Sequence, residues 1–266
     1  MPSWSTLGVA CAAAAAAGAA ANYAWAVGWR AREVAVMKAR SAARAAPGDL
    51  AGSSFVRARY GREFGVDPSD TALVIIDMQT DFISKEGRIG CHYEGEPLKH
   101  CVGKVASVLA AARAAGLTVA FARSHRYGDT VRDDLCTPSV DGKYDLVPEL
   151  AARPGEVVVD KWTFGAFAST DLEARLAARG VKRILLCGIL TNVCVMATAV
   201  QAVDRFFRVC VVEDACAAFK QSWHDKALDL MNEPQVQMGH ARSAPGLYFA
   251  ELATVSDVVK ALEEIK

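Results

Sequence analysis

An acid, an ammonium and a thiol each stand where an apolar run ends. Ala72-Leu-Val-Ile-Ile76 stops at Asp77, and Val157-Val-Val159 runs through Asp160 into Lys161. Ile184-Leu-Leu-Cys-Gly188 leads through Ile189-Leu-Thr-Asn-Val193 to Cys194. A thiol can attack a carbonyl, a carboxylate can carry its proton to a leaving amine, and an ammonium balances the negative charge. Together they suggest a cysteine hydrolase. Each residue also has an ordinary reading: Cys194 as a core thiol, Asp77 as a turn or helix cap, Lys161 as a strand-end lysine reaching into water. Cys194 falls in the first turn of a helix, where free N–H groups and the dipole favour a thiolate. The tight connection after Gly188 would aim backbone N–H groups at a developing oxyanion. Trp162, Phe164 and Phe167 follow Lys161 and would hold its ammonium against an apolar pocket, near Asp77 and Cys194.

The elements that must position these residues are short β-branched runs alternating with helical stretches, the pattern of a parallel α/β domain. Strands are predicted at 72–76, 117–122, 156–160, 182–187 and 207–212, with a sixth near Val236 or Leu247. Helices are predicted at 99–115, 169–179, 192–203, 222–231 and 254–264. Residues 123–154 hold Gly, Pro and Asp turns and read as loops over the site. Parallel sheets bind ligands beyond the carboxyl ends of their strands, which is where Asp77, Lys161 and Cys194 would stand. No GxGxxG follows any strand, so a dinucleotide cofactor is not indicated.

Thirty basic and thirty acidic side chains cancel, with no basic stripe, which argues against nucleic acid as a partner. The eight cysteines lack Cys-x-x-Cys or zinc-site spacing and are too sparse for a disulfide framework, so reduced thiols are expected and a redox role is disfavoured. The catalytic domain is placed at 66–266, after an N-terminal extension of residues 1–65. Residues 1–29 carry no charge, and Arg30, Arg32, Lys38, Arg40 and Arg44 follow them. Residues 7–29 are long enough to span a bilayer, with Trp25 and Trp29 at the basic end like interfacial aromatics. A membrane anchor facing the cytoplasm or an organelle-targeting segment is the favoured reading, and a soluble Ala-rich helix of a cytoplasmic protein is the alternative.

At this point the chain resembles the isochorismatase-like cysteine hydrolases, over essentially all of residues 70–265. Three motifs carry the resemblance: Leu73-Val-Ile-Ile-Asp-Met-Gln-Thr-Asp-Phe82, Val158-Val-Asp-Lys161 with Phe164-Gly-Ala-Phe167, and Gly188-Ile-Leu-Thr-Asn-Val-Cys-Val195. It implies a Rossmann-like three-layer α/β/α sandwich around a six-stranded parallel sheet, and a homo-oligomer. It also implies a catalytic Asp77, Lys161 and Cys194, a cis peptide between Ile189 and Leu190, and an oxyanion hole at the N–H groups of Leu190 and Cys194. Phe82, Trp162, Phe164, Phe167 and Asn192 become substrate-binding candidates by neighbourhood, with core packing the alternative for the aromatics.

Nicotinamidase-like members carry Asp-x-His for a metal, whereas this chain has Arg123-Ser-His125, so neither a metal nor another cofactor is expected. Leu146-Val-Pro-Glu-Leu150, Pro154-Gly-Glu156, Thr191-Asn-Val-Cys194 and Glu213-Asp-Ala215 look closer to the ureidoacrylate, biuret and N-carbamoylsarcosine hydrolases. The expected activity is hydrolysis of a small linear amide or ureido compound through an acyl-enzyme thioester. A nicotinamidase-type hydrolase and a catalytically silent, membrane-tethered family member are the alternatives.

Overall fold

The run Thr71–Ile76 is buried at every position, as a strand covered on both faces must be. In the computed structural model of the protein it is the central strand β3 of a six-stranded parallel sheet. The chain divides into two units, Met1–Ala46 and Pro47–Lys266. The structure describes residues 34, 35, 38, 54–85, 87, 97–125, 144–233 and 249–265. In the first unit these are Val34, Ala35 and Lys38, which are helical and exposed. Among the described residues no helix is long and apolar enough to cross a membrane, and the expected anchor at 7–29 lies outside them.

The second unit opens with the antiparallel strands β1 (Ser54–Arg57) and β2 (Glu63–Val66). The other strands of the main sheet are β4 (Thr118–Ser124), β5 (Val157–Lys161), β6 (Arg183–Ile189), β7 (Arg208–Ala217) and β8 (Glu251–Ala253). Its order is β5-β4-β3-β6-β7-β8. The helices are α1 (Thr80–Ile83), α2 (Pro97–Ala114), α3 (Leu172–Ala177), α4 (Met196–Val203), α5 (Gln221–Asn232) and α6 (Val255–Glu263). From β3 the chain steps outward through α2 to β4 and β5, then returns to β6 on the opposite side of β3. Right-handed crossovers therefore put α2 on one face and α3, α4 and α5 on the other, and α6 packs beside α2. The reversal between β3 and β6 is the switch point at which such sheets open a crevice.

Three elements depart from the sequence expectation. The sixth strand is Glu251–Ala253, four residues past Leu247; Val236 and Leu247 themselves lie outside the described residues. It has three residues and no β-branched side chain, so its sequence carries no strand signal. Strand β7 continues past the expected end at 212, through Glu213 and Asp214. Opposite this stretch the pairing with β6 jumps from Leu186–Val211 to Gly188–Cys216, so the charged pair sits in an irregular segment of β7. The hairpin β1–β2, assigned to the extension before residue 66, buries Val56, Phe64 and Val66 in the core of the second unit. Arg62 pairs with Glu251 of β8 at 2.8 Å, and Ser54 Oγ donates to Glu264 at 3.3 Å.

Candidate active site

Asp77 follows the last residue of β3 in a left-handed backbone conformation, φ 54°, which Asp tolerates better than most residues. Its N–H donates to the Ala122 carbonyl of β4, and its carbonyl accepts from the Gln79 N–H at 2.8 Å. This sharp turn leaves the carboxylate buried at the switch point. Lys161 ends β5, is 0% exposed, and its Nζ lies 2.9 Å from Asp77 Oδ2. It also donates to the Thr163 carbonyl at 3.2 Å.

Gly188 brings the third residue in. Its φ is 116°, and a Cβ there would run into the Ile76 backbone. Only glycine lets β6 close on β3 beside Asp77. The Ile189–Leu190 peptide that follows is cis. Thr191–Val195 then forms a widened, π-helical turn before α4, a feature that recurs at functional sites. The Val193 and Val195 N–H groups both donate to the Leu190 carbonyl. Cys194 lies in this turn, buried, where its thiol feels the charges of both Asp77 and Lys161.

The charges differ from the expected thiolate. Burial first, and then the Asp77 carboxylate, push the Cys194 thiol well above its ordinary value, and Lys161 offsets only part of this. The resting group is a thiol. Burial also raises the Asp77 carboxyl against the pull of Lys161, which makes Asp77 a stronger base toward that thiol. Burial pulls the Lys161 ammonium down, but the facing Asp77 and Cys194 together outweigh it and leave the ammonium above its usual value. The arrangement is an ion pair beside a neutral thiol, with a carboxylate that can accept the thiol proton.

The surrounding candidates separate. Trp162 and Phe164 are 46% and 40% exposed, so they do not enclose the Lys161 ammonium as their spacing suggested. Phe167 is buried against Phe207, centroids 5.6 Å apart, with the Arg205 guanidinium over its ring; it is a core residue. Phe82 is partly buried against the core. Asn192 lines a groove of about 260 Å³ with Met196, Trp223, Lys226, Ala227 and Leu230. His125 stacks on Tyr144 at 4.4 Å, and its Nε2 lies 3.2 Å from Asp160 Oδ1. Arg123 also holds Asp160, at 2.8 and 3.1 Å. Among the described residues no cluster of three His, Cys, Asp or Glu side chains could hold a metal.

Two supports went unread in the sequence. Gln79 is fully buried; its amide donates to the Tyr144 carbonyl at 2.8 Å and accepts from the Ser124 N–H at 2.7 Å, joining the ends of β3 and β4. Thr198 Oγ1 donates to the Cys194 carbonyl at 2.6 Å and accepts from the Ala166 N–H at 3.1 Å, tying the thiol turn to the segment after Lys161. The signal for Gln79 was its place two residues after Asp77. A lone Thr inside a helix gives none.

An isochorismatase domain is matched over residues 71–243, most of the second unit. The chain belongs to the isochorismatase family. It is 29% identical over 205 residues to the ureidoacrylate amidohydrolase RutB of Pantoea ananatis, covering 68% of this chain and 82% of that one. Among solved structures it resembles a cysteine hydrolase from Pseudomonas syringae pv. phaseolicola, with 26% identity, a TM-score of 0.63, and coverage of 76% of this chain and 96% of that one. It also resembles the N-carbamoylsarcosine amidase of Thermoplasma acidophilum, with 29% identity, a TM-score of 0.52, and coverage of 59% and 89%.

Proposed function

We propose that the protein is a cysteine amidohydrolase that cleaves a small linear amide or ureido compound. The observation that carries this reading is the meeting of the Cys194 thiol with the buried Lys161–Asp77 pair, 2.9 Å apart, at the sheet's switch point. The relatives named as ureidoacrylate amidohydrolase and N-carbamoylsarcosine amidase support a carbamoyl-bearing substrate.

Asp77 takes the proton from Cys194 as sulfur bonds to the carbonyl carbon. The oxyanion that forms is held by the N–H groups of Leu190 and Cys194, each such donor being worth about 3–4 kcal/mol in the transition state. Lys161 balances the site's negative charge before and after it moves from carboxylate to oxyanion. When the C–N bond breaks, Asp77 returns its proton to the leaving nitrogen, and the acyl or carbamoyl group remains on sulfur as a thioester. Water then gives a proton to Asp77 as its oxygen attacks the thioester. The C–S bond breaks, and Asp77 reprotonates the thiol. The chain's own side chains complete this cycle.

An ammonia-release screen over ureido acids, biuret, N-carbamoyl amino acids, nicotinamide and simple aliphatic amides tests the reading. Turnover of a ureido or carbamoyl compound above nicotinamide is expected. Preference for nicotinamide would overturn the substrate class. Failure on every compound, together with no labelling of Cys194 by iodoacetamide, would favour a silent family member.

A further inference from the structure

The turn that carries Cys194 is held from two sides by hydroxyls. From α4, Thr198 donates to the Cys194 carbonyl. On the other side Thr191, fully buried and three residues before Cys194, meets His224 Nδ1 of α5 at 2.8 Å. The π turn lacks a regular i→i−4 ladder, since Val193 and Val195 share the Leu190 carbonyl and the Met196 N–H reaches back to the Thr191 carbonyl. Its pose therefore depends on side-chain ties more than that of an ordinary helix start. Helix α5 is a fixed post for such a tie. It buries Ala227, Leu228 and Met231, and Asn232 donates to the Ala250 carbonyl at 2.9 Å.

Resting on the cysteine-hydrolase reading above, we infer that His224 is a positioning residue: through Thr191 it fixes the segment between Leu190 and Cys194, the two residues whose N–H groups receive the oxyanion. His224 does not touch the reacting atoms. Its ring is half-buried, and burial, aided by Arg59, lowers its pKa against the opposing carboxylates of Asp225 and Glu213. The ring Nδ1 and the Thr191 hydroxyl share one hydrogen bond, in which either atom can be the donor. A tie that aims oxyanion donors acts in the transition state, so its loss falls on kcat and leaves KM in place.

The test compares the wild type with His224→Ala, Thr191→Val, their double mutant, and two variants that keep the tie, His224→Asn and Thr191→Ser. Two readouts are taken: kcat and KM on the fastest substrate of the amide screen, and the rate of Cys194 alkylation by iodoacetamide. His224→Ala and Thr191→Val should each lower kcat roughly 10- to 100-fold, the scale of a small misplacement of reacting groups. KM should stay within about twofold. The double mutant should be no worse than the poorer single, because both remove one tie. His224→Asn places an amide oxygen near the Nδ1 position, and Thr191→Ser keeps the hydroxyl, so both should recover most of the loss. A wild-type kcat in His224→Ala, additive losses in the double mutant, or an effect on KM alone would overturn the inference. If the wild type turns over no amide, the hydrolase reading fails on its own account, and alkylation decides the tie. A common change in both single mutants and the double supports it, and unchanged rates overturn it.

Discussion

Lys161 is the residue on which the charge balance turns, because it faces both Asp77 and Cys194 from a fully buried position. Lys161→Met removes the attraction that holds the Asp77 carboxyl down, so burial raises it further and leaves less of the base ionised at a given pH. It also removes the main pull that lowers the thiol. Turnover should fall by about 10²- to 10⁴-fold, the usual contribution of a positioned acid–base group. The pH profile of Cys194 alkylation by iodoacetamide should move to higher pH; an unchanged profile would contradict this role. The acid limb of kcat/KM follows from the same groups. Asp77 acts as base only when ionised and its folded pKa lies above 3.8, so activity should be lost as pH falls through a value above that of an ordinary aspartate. The stability sign is opposite. A carboxyl raised on folding favours the fold below its unfolded pKa and loses that contribution as pH rises through the folded value. Above its unfolded pKa, Asp77 therefore costs the fold stability. The positions of Asp77, Lys161 and Cys194 were legible because each closes or follows an apolar run. The protonation of Cys194 was not, because burial and the Asp77 charge are properties of the assembled site.

Among the elements, strands β3 to β6 and the start of β7 were legible from their β-branched runs. The π turn was not, since Thr191-Asn-Val-Cys-Val195 reads as an ordinary helix start. The close approach of β6 to β3 rests on Gly188. Gly188→Ala should destabilise the second unit by more than about 2 kcal/mol, from a strained φ and a collision with the Ile76 backbone. Urea unfolding measures this, and a loss under 0.5 kcal/mol, about the size of a neutral surface change, would contradict the geometry. The end of β4 carries the metal question. Its His125 is engaged by Asp160 and Tyr144, and Arg123 stands two residues before it, where a carboxylate ligand would be needed. Activity should therefore survive exhaustive chelation. Loss restored by added zinc, iron or manganese would contradict that and favour nicotinamide as substrate.

At the scale of the whole molecule, the fold brings residues 77, 161 and 194 to one end of one sheet, which the alternation of strands and helices already implied. The hairpin β1–β2 escaped the sequence reading because Ser54–Arg57 and Glu63–Val66 are short and carry charged residues on their outer face. Its buried Val56, Phe64 and Val66 make it part of the second unit. Removal of residues 1–46 should leave kcat unchanged. A chain starting at residue 61 lacks β1 and should melt at lower temperature, since losing even one such buried side chain costs about 1–5 kcal/mol. Equal melting temperatures for the two truncations would contradict the hairpin's role. The sulfur of Cys194 should carry the acyl group during turnover. Acid quench at steady state, followed by peptide mass spectrometry, reads this. An added acyl or carbamoyl mass is expected on the Cys194 peptide of the wild type, with no turnover in Cys194→Ala, whose fold should be retained. Turnover with an unmodified Cys194 peptide, and near-wild-type activity in Cys194→Ala, would contradict it.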